Sequence, residues 1–94
     1  PEPTGSFSNR WLTAILLPAN DLETLQNAFF QARIEVRRLW NPMHEQPVFQ
    51  GFKFFNRGIS LTLFRQGLTL PSSDSLTIQE QKMIASVILE NIGY

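Results

Sequence analysis

Trp11-Leu12-Thr13-Ala14-Ile15-Leu16-Leu17-Pro18 and the segment after it, Asp21-Leu22-Glu23-Thr24-Leu25-Gln26-Asn27-Ala28-Phe29-Phe30-Gln31-Ala32-Arg33, carry two different apolar patterns. The first is short, nearly all apolar and closed by proline, which suits a strand buried on both faces better than a helix of that length. In the second, Leu22, Leu25, Ala28, Phe29 and Ala32 recur at helical spacing. Asn20 with Glu23 three residues on offers a capping box at its start. The two segments therefore predict a strand followed by an amphipathic helix running from Asp21 to about Arg33.

Outward from this pair, Ile34 to Leu39 alternates imperfectly between apolar and charged residues and reads as a half-buried strand. From Trp40 to Gly58 the chain carries Pro42, Pro47, Gly51 and Gly58 among aromatic residues, a composition that prevents long regular elements and forms a shaped loop. Ile59 to Gln66 admits two readings. Ile59, Leu61 and Leu63 alternate as in a strand, whereas Ser60 can cap a short helix ending at Gly67, and the helix is the preferred one. Leu68-Thr69-Leu70-Pro71 is a short strand stopped by proline. Thr77 and Glu80 form a second capping box ahead of Met83, Ile84, Val87, Ile88 and Ile92, with Gly93 as the stop. Strands alternating with helices predict an α/β fold, a small sheet of about three strands covered by helices.

The 94 residues hold one domain with a modest core, since chains of this size bury roughly 60–65% of their unfolded surface. Pro1 to Ser8 is rich in Pro, Gly and Ser and reads as a linker or trailing segment, leaving residues 9–94 as the domain, and no signal peptide is visible. Eight basic and eight acidic side chains cancel. No long-range field gathers a phosphate backbone or anionic lipid, so neither nucleic acid nor a membrane is an expected partner. The chain has no cysteine, which excludes disulfides and thiolate-ligated metal and accords with a cytoplasmic location.

Candidate chemistry is sparse. His44, the single histidine, stands between Pro42 and Pro47 and cannot form a metal site alone. Lys53 and Lys82 are the only lysines. A Schiff-base lysine needs a dry pocket, whereas Lys82 falls on the polar side of the last helix and Lys53 reads as a lysine whose stem covers aromatic surface. Arg10, Arg37 and Arg38, each near a tryptophan, can form an anion site, because guanidinium binds phosphate bidentately and stacks on aromatic faces. Ser72-Ser73-Asp74-Ser75 offers donors to a phosphate but reads more simply as the loop into the Thr77 cap. No phosphate-binding glycine motif and no readable acid, base and nucleophile set accompany them.

Read as a string, Ser8-Asn9-Arg10-Trp11-Leu12-Thr13, then Ile34-Glu35-Val36-Arg37-Arg38-Leu39-Trp40-Asn41-Pro42-Met43-His44-Glu45-Gln46-Pro47-Val48-Phe49, then Gly67-Leu68-Thr69-Leu70-Pro71-Ser72 with Leu76-Thr77, resembles the carboxy-terminal region of the DegT/StrS-type sugar aminotransferases. The resemblance runs from about Ser8 to Gly93. Arg38 stands where that family has a proline, Thr69 where it has a cysteine and Ser73 where it has a glycine, and Phe54-Phe55-Asn56 approximates its aromatic turn.

The resemblance implies the C-terminal small domain of a fold-type I, pyridoxal-phosphate-dependent enzyme. The parent would be a homodimer moving an amino group from glutamate to a keto-sugar nucleotide in amino sugar biosynthesis. Its Schiff-base lysine belongs to a large catalytic domain that this chain does not match. The chain alone is therefore expected to be inactive and to bind no cofactor. By the same resemblance Asn9, Arg10, Trp11, Arg37, Trp40 and His44 are expected to face the sugar nucleotide, with no catalytic residue among them. A stand-alone binding or regulatory module sharing the small-domain fold is the competing expectation. Phe49, Phe52, Phe54 and Phe55 are expected to form an exposed apolar patch where a large domain once packed.

Overall fold

The structure is a computed structural model that describes residues 2–18 and 20–92. Strand β1 (Thr13–Leu16) leads into helix α1 (Leu22–Gln31), which returns the chain to strand β2 (Arg37–Arg38). Two 3-10 turns, Met43–Glu45 and Pro47–Phe49, shape the long loop that follows. Helix α2 (Ile59–Gln66) then runs directly into strand β3 (Gly67–Leu70), and helix α3 (Ile78–Asn91) closes the chain. The sheet order is β1-β3-β2, with β3 antiparallel to both neighbours. The last strand thus inserts between the first two, which makes the β1-α1-β2 unit a split one. This is the expected α/β architecture.

The core forms where α1 and α3 meet the middle of the sheet. Leu22, Leu25 and Phe29 of α1, Leu68 of β3 and Ile84 of α3 are buried together with Leu17, and Ile15, Ile34, Val36 and Leu70 pack against them. Leu25, Phe29 and Leu68 are fully buried, and each such side chain contributes about 1.5–3 kcal/mol relative to exposure. The helical spacing of α1 and α3 had placed most of these residues. Two residues are exceptions: Ala32 is exposed at the C-cap of α1, and Met83 is exposed because the buried stripe of α3 is centred on Ile84 and continues through Val87 and Ile88.

β1 is not buried on both faces. It is an edge strand whose Ile15 alone turns partly inward, while Leu16 and the preceding Trp11 are exposed. A strand is buried twice only when layers lie on both sides, and here β3, not β1, occupies the middle of the sheet. The strand expected over residues 34–39 shrinks to Arg37 and Arg38, paired with Thr69 and Leu68. Its partner β3 is four residues long, and Leu39 adds only a backbone bond to the carbonyl of Gly67 at 3.3 Å.

The helix ends also differ from expectation at three points. Asn20 and Glu23 do not cap α1, since the N–H of Asp21 bonds the carbonyl of Pro18 at 2.9 Å and this turn delivers Asp21 to the N-cap already in helical conformation, with no side-chain cap. α1 also stops before Arg33. Arg33 is left-handed (φ 58°), its N–H bonds the Phe30 carbonyl, and the N–H of Ile34 bonds that of Phe29, which is a Schellman termination with an arginine where glycine is usual. Ser60 lies inside α2, whose N-cap is the left-handed Gly58. Asn56 Oδ1 accepts the Gly58 N–H at 2.6 Å, so the turn residue two positions earlier fixes the helix start.

Gly67 closes α2 as expected. A Cβ there would meet the Leu39 side chain and lie 2.7 Å from the Leu63 carbonyl oxygen, so only glycine lets helix and strand join without a gap. The Thr77–Glu80 capping box is present in full, with Glu80 N–H donating to Thr77 Oγ1 at 3.1 Å and Thr77 N–H donating to Glu80 Oε2 at 2.7 Å. The stop assigned to Gly93 lies outside the described residues.

Candidate functional site

The candidate site gathers residues of β2 and β3 and of the segments flanking β1 and β2. Trp11 precedes β1, Arg37 lies on β2 and Trp40 follows it, and together with Leu12, Arg38 and Thr69 they line a cleft of about 350 Å³. The tryptophan rings are 6.0 Å apart between centroids and tilted by 34°. With Trp11 68% and Trp40 66% exposed, both wall a surface cleft and neither serves the core. Alternation along β2 sends its two arginines to different partners. Arg38 stacks 4.3 Å above the Phe64 ring and donates from Nη2 to the Phe64 carbonyl at 3.0 Å. Arg37 donates from Nε and Nη2 to Glu35 Oε1 at 2.9 and 2.8 Å.

Trp40 also lines a second groove, of about 590 Å³, with Met43, His44, Phe54 and Phe55. The first 3-10 turn presents His44 there. Its ring stacks on Phe54 at 4.5 Å and 14°, Nε2 lies 3.5 Å from Asn56 Nδ2 and from Glu45 Oε1, and the side chain is only 15% exposed. The two adjoining grooves pair aromatic faces with a guanidinium and an imidazole. That combination suits a ligand having a flat or sugar-like face and an anionic group.

Trp11, Arg37, Trp40 and His44 thus fall along one surface. Asn9 and Arg10 do not join them. Asn9 Oδ1 accepts the Trp11 N–H at 3.2 Å and so turns the chain into the tryptophan. Arg10 is left-handed (φ 53°) and pairs with Glu2 at 3.2 Å. It lines a separate cleft of about 380 Å³ over α3, so the three-arginine anion site read from the sequence divides. Ser72 keeps the simpler role, accepting the Thr13 N–H and donating to the Leu70 carbonyl, both at 2.8 Å. Sequence reasoning gave no site role to Glu35, Phe54 or Asn56. Glu35 had a signal, two residues before Arg37 on one strand face, whereas Phe54 and Asn56 reach His44 across a loop.

No family model matches the chain. Over 95 aligned positions, spanning 95% of the chain, it is 35% identical to a Bacillus subtilis (strain 168) protein named "Putative pyridoxal phosphate-dependent aminotransferase EpsN". The chain is similar to part of an aminotransferase. It covers 24% of that relative, about a quarter of its length. The residues present do not fit a pyridoxal phosphate aldimine site, because Lys53 and Lys82 are both exposed and neither lines the clefts described above. Among the described residues no group of three His, Cys, Asp or Glu is placed to hold a metal, and no helix is long and apolar enough to cross a membrane.

Proposed function

We propose that this chain is the C-terminal small domain of a cytoplasmic, homodimeric, pyridoxal-phosphate-dependent sugar aminotransferase of the DegT/StrS type. It contributes substrate contacts and no catalytic group. The observation that carries this reading is an alignment that takes in nearly the whole chain yet only a quarter of its relative.

In this reading the Trp11–Trp40 cleft receives the sugar nucleotide, Arg37 binds its diphosphate, and His44 hydrogen-bonds a sugar hydroxyl or phosphate oxygen. The keto sugar and the donor glutamate meet the cofactor in a large domain outside this chain, which supplies the lysine and the proton transfers. Asn9 and Arg10 act at one remove, by directing the chain into Trp11.

The test is made on the chain and on its coding sequence. Incubation with pyridoxal phosphate followed by borohydride is expected to trap no site-specific adduct, and the reading frame is expected to continue into a domain carrying a cofactor lysine. A stoichiometric adduct on Lys53 or Lys82 would overturn the proposal and make the chain a cofactor-binding protein in its own right.

A further inference from the structure

Arg37 stands between two neighbouring hollows. One is the tryptophan cleft, and the other, of about 260 Å³, is shared with Glu35 and Thr69. In the structure its Nε and Nη2 both contact a single oxygen of Glu35, a residue that lines the second hollow and not the tryptophan cleft. Arg38 cannot replace it, being committed to the ring and carbonyl of Phe64. An anion entering the cleft therefore meets a guanidinium already bound to a carboxylate, and it must displace that carboxylate while tolerating its charge close by.

We propose that Glu35 is an internal competitor for this anion site, holding Arg37 when the cleft is empty and setting how strongly a diphosphate binds. The inference rests on the reading of the cleft as a diphosphate site. Both partners are well exposed, 79% for the Arg37 side chain and 73% for that of Glu35. An exposed pair is weak enough to exchange for a doubly charged ligand that offers two oxygens to the same fork. The consequence is selectivity, since a single weak carboxylate ligand gains little over Glu35 whereas a diphosphate outcompetes it.

Trp11 and Trp40 are the only tryptophans and both wall the cleft, so intrinsic fluorescence reads its occupancy without a label. Titration of the 94-residue chain with inorganic pyrophosphate at low salt is the experiment. Glu35→Gln is expected to bind about two- to fivefold more tightly than the unsubstituted chain. Arg37→Gln is expected to lose most binding, the double variant to match Arg37→Gln, and Glu90→Gln on α3 to bind unchanged. Equal affinity in the unsubstituted chain and Glu35→Gln would overturn the competitor role and leave the anion site standing. Absence of binding in both would remove the anion site itself, and an equal gain in Glu90→Gln or in the double variant would reduce the effect to net charge.

Discussion

At the scale of single residues, Arg10 and Arg33, the left-handed non-glycine positions among the described residues, separate conformation from charge. Arg33 sits in the terminating turn of α1 because the N–H groups of Arg33 and Ile34 must reach back to Phe30 and Phe29, and that geometry needs positive φ whichever residue occupies it. Glycine removes the Cβ clash at the cost of a more flexible unfolded chain. Arg33→Gly is accordingly expected to stabilise the domain by about 0.5–1 kcal/mol, raising Tm by about 2–8 °C. A thermal melt followed by circular dichroism checks this, and a lowered Tm would mean that the arginine side chain contributes more than its backbone strain costs. Nothing in the order of residues around Arg33 marks the turn, since an arginine continues a helix as readily as it ends one.

At the scale of elements, legibility follows the range of the forces involved. α3 begins where the sequence places it, because the Thr77 and Glu80 capping bonds close within three residues of each other. Thr77→Ala removes a hydrogen-bonded cap and is expected to cost about 1 kcal/mol, seen as a Tm lower by about 4–8 °C. Thr77→Ser is expected to restore most of it, which distinguishes the cap from packing of the threonine methyl. α1 shows the limit of the same reasoning. Asn20 and Glu23 have the right letters, but the Pro18–Asp21 turn sets the chain into helical conformation before a cap can form. β1 and β2 mislead for another reason, since an apolar run reports that a segment can be buried and not how many layers will cover it.

Across the whole molecule, helices α1 and α3 supply one apolar layer against the sheet, and the aromatic loop between β2 and α2 is left largely outside it. Phe52, Phe54 and Phe55 are exposed, as are Met43 and Val48, while Phe49 is half-buried and meets Phe52 edge-on at 6.3 Å. Apolar surface gathered in this way favours association. Light scattering is expected to show particle mass rising with concentration, and Phe55→Ser, at a side chain with no part in the core, is expected to reduce that rise without lowering Tm. A monodisperse monomer at high concentration would show instead that the exposed loop aromatics do not drive association.

The sequence by itself determined the α/β class, the apolar faces of α1 and α3, the helical choice for Ile59–Gln66, the Gly67 joint and the Thr77 cap. Each of these rests on residues a few positions apart, where periodicity, capping and sterics act without reference to the rest of the chain. The tertiary structure alone decided that β3 takes the centre of the sheet and β1 its edge. It also decided that Trp11, Arg37 and Trp40 share one cleft with His44 beside it, and that Arg10 turns away. Those outcomes depend on pairing β3 with strands laid down roughly 30 to 55 residues earlier. The free energy for that pairing comes from the shared core around Leu68 and Phe29, a sum over many distant side chains that no local pattern encodes.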